Sequence, residues 1–142
     1  MPLIAEDRLG IQELMARYAR GVDVECTEED FLQLFTNDAV MTSPVTGSNV
    51  GVEGLKAFRE VFMKRRGKLQ LRHHINNFVI EGDGDQATLR AYFVIFQTRT
   101  DIPPNERETQ LRFSGDLDCV LRRVDGHWKI ARRDVHIDCR SL

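Results

Sequence analysis

Apolar side chains recur at Ile11, Leu14, Met15, Tyr18 and Val22. Steps of three and four place all five on one stripe of a helix, and Gly21 lies near its end. A second, short helix is predicted after Thr27. Glu29 and Asp30 fall in its first turn, and Phe31, Leu34 and Phe35 form its apolar face. The Thr27 hydroxyl suits the N-cap, because it can accept a bond from a free backbone N–H. Residues 38–43 read as a short strand and 44–51 as a Gly-, Ser- and Asn-rich loop. Residues 52–66 read as a third helix with Leu55, Phe58, Val61 and Phe62 inside, and Gly67 sits where a C-cap glycine belongs.

The pattern then changes to period two. Strands are predicted over 69–81, 86–99, 109–124 and 127–139. Gly82-Asp83-Gly84-Asp85 and Asp125-Gly126 read as hairpin turns, since Gly and Asp accept positive φ at low cost. Asp101 to Glu106, with Pro103 and Pro104, reads as a loop. Helices first and strands afterwards imply segregated layers, an α+β fold with three N-terminal helices packed on a strongly curved antiparallel sheet.

Composition narrows the functional classes. With 142 residues, 42% apolar and 30% charged, the chain suits one domain over residues 1–142. Twenty basic residues face twenty-two acidic ones, which offers nucleic acid no bulk attraction. Lys64, Arg65 and Arg66 close a helix, where cations complement the macrodipole, and no aromatics interleave for base stacking. No apolar run approaches the roughly 20 residues of a membrane span. The first residues turn charged too early for a secretory leader, so a cytoplasmic protein is expected. Cys26, Cys119 and Cys139 are odd in number, widely spaced and expected to be free thiols.

Candidate chemistry centres on Asp23 and His73. Strict alternation puts Leu71, His73, Ile75, Asn77 and Val79 on one strand face and Arg72, His74, Asn76, Phe78 and Ile80 on the other. Asp23 lies one residue past the stripe of the first helix. If that helix covers the sheet, carboxylate and imidazole meet inside. A carboxylate on one ring nitrogen sets the tautomer and leaves the other nitrogen to move a proton. The same residues also suit structural roles, a core histidine and a helix-end aspartate. His73 and His74 point to opposite faces, so they cannot share a metal, and no metal site is expected. Arg132 shares a period-two face with Trp128 and Ile130 and could hold an anionic or carbonyl group; a bulge would hand that place to Arg133. Phe58, Phe62, Phe93 and Trp128 are candidate lining for a flat ring-containing ligand, with Asn77 as a polar contact. Phe78, Ile80, Tyr92, Val94 and Phe96 would leave the outer sheet face apolar, which marks an interface.

Several motifs occur in a familiar order: Ile11-x-x-Leu14-x-x-x-Tyr18-x-x-x-x-Asp23, Leu34-Phe35-x-x-Asp38-Ala39, Gly51-x-x-Gly54-x-x-x-Phe58, His73-x-x-x-Asn77 and Asp125-Gly126-x-Trp128-Lys129-Ile130. This set resembles the SnoaL-like branch of the NTF2-like superfamily from about Ile11 to Asp138. The resemblance implies a cone-shaped fold around a ligand pocket, with dimerisation through the open sheet face; a trimer also occurs among relatives. It implies no cofactor. The dehydratase and dehydrochlorinase members carry an Asp at the end of the first helix and a His on the first long strand, matching Asp23 and His73. The bile acid dehydratase type has a Tyr matching Tyr18, which would polarise or protonate a substrate oxygen. The resemblance thus implies a lyase or isomerase acting on a small hydrophobic cyclic molecule. It equally covers β subunits of aromatic-ring-hydroxylating dioxygenases and proteins that bind without turnover. The dehydratase, isomerase and cyclase reactions use the same proton-transfer parts, so the residues do not choose among them.

Overall fold

The turn Asp125-Gly126 shows how local chemistry shapes the sheet. Both residues have positive φ, 51° and 80°, and Val124 pairs directly with His127. That is a two-residue turn whose twist matches the strands it joins. The computed structural model describes residues 1–24 and 26–140, without the side chains of residues 139 and 140. The Cys139 thiol, expected above to be free, lies outside the described residues.

In chain order the elements are α1 (Ala5–Asp23), α2 (Glu28–Leu32), β1 (Phe35–Ser43), β2 (Gly47–Val50), α3 (Gly51–Met63), β3 (Leu69–Asp83), β4 (Gln86–Arg99), a 3-10 turn (Pro104–Glu106), β5 (Thr109–Val124) and β6 (His127–Arg140). The strands form one sheet in the order β2-β1-β6-β5-β4-β3. Neighbours are antiparallel except β1 and β6, which run parallel. The helices cover one face, and the stripe Ile11, Leu14, Met15, Tyr18 and Val22 is buried against it. Thr27 caps α2 as expected, its hydroxyl accepting from the Asp30 amide at 3.0 Å.

Three local expectations are corrected. Phe35 begins β1 and does not extend α2, because the chain has already joined the sheet where the Ile130 amide donates to the Leu34 carbonyl at 2.9 Å. The loop 44–51 contains β2, which pairs back on β1 from Val40↔Val50 to Ser43↔Gly47. The third helix ends at Met63, and residues 64–66 close by tighter turns before Gly67 at φ 83°.

The larger correction is in β3. Asn76 pairs with Tyr92 and Val79 with Arg90, so Asn77 and Phe78 together oppose Ala91. Asn77 takes φ 57°, a left-handed conformation that Asn tolerates. This bulge inverts the alternation. Phe78 and Ile80 turn inward, and Asn77 and Val79 turn to solvent. Only Tyr92, 60% exposed, with half-buried Val94 and Phe96, remains of the apolar outer face expected above.

A second bulge lies in β6. Val120 pairs with Arg132 but Leu121 with Ile130, so Ala131 is the extra residue. Ile130 and Ala131 are both buried, and the side chains beyond them exchange faces. Arg132 is exposed and Arg133 buried. Among the described residues no helix is long and apolar enough to cross a membrane.

Candidate active site

Asp23 closes α1. A carboxylate at a helix C-terminus opposes the macrodipole and costs about 0.3–1 kcal/mol there. Its location is therefore not explained by helix stability. The end of α1 is held from outside: Gln70 of β3 donates to the Asp23 carbonyl at 2.8 Å, and Arg59 of α3 donates to the Cys26 carbonyl at 2.6 Å. So held, the carboxylate meets β3. Oδ2 accepts from the His73 backbone amide at 2.6 Å and Oδ1 lies 2.5 Å from His73 Nδ1. The two side chains are 6% and 4% exposed. An ionised carboxylate only accepts, so Nδ1 carries the ring proton. Nε2 makes no hydrogen bond among the described residues and is left as the acceptor.

His73 lines a cavity of about 60 Å³ inside the cone, with Tyr18, Phe58, Phe62, Phe93, Arg65, Arg112 and Arg133. Its floor is aromatic. Phe58 and Phe62 lie 5.0 Å apart between ring centroids, and Phe62 meets the His73 ring edge-on at 5.8 Å. Gly115 makes room for Phe93, since a Cβ there would stand 3.0 Å from its ring and collide with the His136 carbonyl. Tyr18 is 1% exposed, and its hydroxyl has no hydrogen-bond partner among the described residues. Burial pushes the Tyr18 phenol up, opposed by the Arg133 guanidinium, so it stays protonated and able to donate.

The expected site residues thus divide. Asp23, His73 and Tyr18 come together, with Phe58, Phe62 and Phe93 around them. Asn77, expected as a polar pocket contact, is turned outward by the β3 bulge. Arg132, expected to face the ligand, points to solvent and pairs with Asp134 at 2.8 Å; Arg133 takes its place. Trp128, expected in the lining, sits at the far end of β6. Its indole donates to Asp7 at 3.3 Å and lies under Arg123 at 4.7 Å. It borders a separate open groove of about 1110 Å³ between α1 and the β5–β6 hairpin. That groove is larger, but neither His73 nor Tyr18 lines it, and its wall mixes charged side chains with apolar ones and glycines. The expected proton-transfer residues His73 and Tyr18 line the smaller cavity. Alternation alone missed Arg133; the signal was its place beside Arg132, readable only with the bulge located.

Cys119 lies under Arg133 and is 3% exposed. Burial pushes its thiol up from 9.0 to about 12. Between these values the unfolded chain has lost the proton and the folded one keeps it. The folded state is therefore favoured fully below pH 9, and about 1.4 kcal/mol per pH unit is lost above it. Urea titrations between pH 8 and 11 are expected to show a shallower loss in Cys119→Ala than in the wild type. Equal slopes would mean the thiol ionises freely in the folded chain.

Among the described residues no three His, Cys, Asp or Glu side chains cluster as a metal site. The SnoaL-like domain family matches residues 4–134. Among solved structures, the chain is similar to a putative aromatic ring hydroxylase from Novosphingobium aromaticivorans, 30% identical over 96% of this chain and 92% of that one, TM-score 0.76. It is also similar to a protein of unknown function with a cystatin-like fold from Nostoc punctiforme, 26% identical over 97% and 96%, TM-score 0.76. A putative scytalone dehydratase from Novosphingobium aromaticivorans shares the fold, at 20% identity over 96% and 87% and TM-score 0.75. Among curated proteins none matches the chain.

Proposed function

The chain belongs to the SnoaL-like family, and on that premise we propose that it is a cofactor-independent lyase or isomerase acting on a small cyclic molecule. The observation that supports this most is the buried Asp23–His73 contact at the wall of an aromatic cavity. His73 Nε2 is the general base that removes a proton from substrate carbon. Asp23 holds the ring and balances the imidazolium that forms. Tyr18 donates its hydroxyl proton or a hydrogen bond to the oxygen on which charge develops or which leaves. Water loss, double-bond migration and ring closure all run on these parts.

The cavity as it stands is small, about 60 Å³. Val45 and Thr46, in the turn between β1 and β2, and Arg65 after α3 border it on the solvent side.

The test is a panel of cyclic β-hydroxy ketones and enones incubated in D2O, read by mass spectrometry for water loss or deuterium uptake. At least one member is expected to react, and His73→Gln is expected to slow it by about 10²–10⁴-fold. No reaction across the panel, or equal rates in the variant, defeats the proposal. The 30%-identical putative ring hydroxylase favours a second reading, a non-catalytic β-like subunit of an aromatic-ring-hydroxylating dioxygenase. That reading predicts no turnover and a stable complex with a Rieske-type catalytic chain.

A further inference from the structure

The cavity has an unusual charge inventory. Its lining includes three arginines, Arg65, Arg112 and Arg133, and no Asp or Glu. The nearby carboxylate, Asp23, is already committed to His73 through both oxygens. Arg133 is 5% exposed, comes within ion-pair distance of no carboxylate among the described residues, and has a buried Nε with no hydrogen-bond partner. Burying a cation costs free energy unless an anion or a full set of acceptors meets it. Here its support is the face of Tyr18, with the guanidinium carbon 4.3 Å from the ring centroid. Arg65 lies similarly over Phe62 at 5.9 Å, and Arg112 over Phe113 at 5.0 Å while donating to Gln97. A guanidinium supported on an aromatic face keeps its N–H edge for a partner in its own plane.

From this we infer that the natural ligand is a ring-bearing carboxylate, whose anionic group binds Arg133 while its ring lies among Phe58, Phe62 and Phe93. The inference rests on the cavity assigned above and names the class of molecule that enters it. A carboxylate matches the planar fork of one guanidinium through two parallel bonds. The aromatic walls match the ring, and the neighbouring arginines set a positive field along the entrance. A neutral cyclic ketone would leave Arg133 without a counter-charge in the complex. A carboxylate supplies it.

Calorimetry on the whole chain tests this with three matched pairs: benzoate and benzamide, phenylacetate and phenylacetamide, naphthoate and naphthamide. In at least one pair the acid is expected to bind about tenfold or more tighter than its amide. The preference is expected to vanish in Arg133→Met and to survive in Arg132→Gln, whose side chain is exposed and outside the cavity. A second measurement needs no variant. Nitrate is expected to weaken binding of the acid in the wild type and to leave the amide unaffected. Amides binding as well as acids, a preference that survives Arg133→Met, insensitivity to nitrate, or no binding by any pair at millimolar concentration would each overturn the inference. Failure of the catalytic proposal is separable. An acid preference without turnover of the panel removes the catalysis and keeps the anion site; turnover without an acid preference does the reverse.

Discussion

Asp23→Asn is expected to lower kcat/KM by about 10³–10⁴-fold, with the loss in kcat and little change in KM. The substitution keeps shape and volume. The amide oxygen can still accept from the His73 backbone N–H, a bond now 2.6 Å long. The end of α1 stays anchored through the Asp23 carbonyl and Gln70. What changes is the partner of Nδ1. An amide nitrogen facing the ring donates, which forces the proton to Nε2 and removes the base. An amide oxygen facing it keeps the tautomer but lacks the charge that balances the imidazolium. The measurement is steady-state kinetics on the substrate the panel returns, beside thermal unfolding. A drop of less than tenfold with an unchanged melting temperature would show that the carboxylate does not carry the chemistry. Asp23 lies behind His73 and does not border the cavity, so KM is the control that separates lost orientation from lost binding.

Arg133→Met has the second large effect, on stability and in the unusual direction. Removing a buried side chain normally destabilises a protein by 0.5–3 kcal/mol or so. Here the side chain is a cation without a carboxylate partner among the described residues. The effective desolvation penalty of a buried ion is several kcal/mol, and a desolvated cation–π contact returns about 2 kcal/mol. Methionine keeps most of the apolar stem and can rest against the Tyr18 ring. The variant is therefore expected to be more stable by about 1–3 kcal/mol, with a melting temperature higher by roughly 3–10 °C. Urea unfolding at neutral pH and low salt measures it. Destabilisation beyond 1 kcal/mol or so would show that the guanidinium is well satisfied in the folded chain. A gain in stability together with loss of acid binding is the expected signature of a residue kept for its ligand.

Much of this was legible along the chain. The stripe from Ile11 to Val22 declared α1, because side-chain burial on a helix follows its 3.6-residue period. Asp125-Gly126 declared its turn, because few residue pairs accept two positive φ values. Strands β4 and β5 run over the expected residues, 86–99 and 109–124. His73 was assigned its face correctly, since no irregularity precedes it in β3. Its meeting with Asp23 depended on α1 lying over β3, which the helix-then-strand order suggested and the fold supplies.

What the tertiary structure decided lies beyond the bulges at Asn77–Phe78 and Ala131. One extra residue at Asn77–Phe78 turned Asn77 away from the cavity and brought Phe78 and Ile80 inside. One at Ala131 exchanged Arg132 for Arg133. Period-two reasoning counts residues along one strand, whereas the inward face is defined by pairing with the neighbour, and a bulge breaks the count without changing the composition. Trp128 illustrates the other limit. Alternation placed it on a face but not at a depth, and only the folded sheet shows that the β5–β6 turn lies at the far end from His73. Strand period and turn chemistry are properties of neighbouring residues; face after a bulge, and depth within a cone, are properties of the whole sheet.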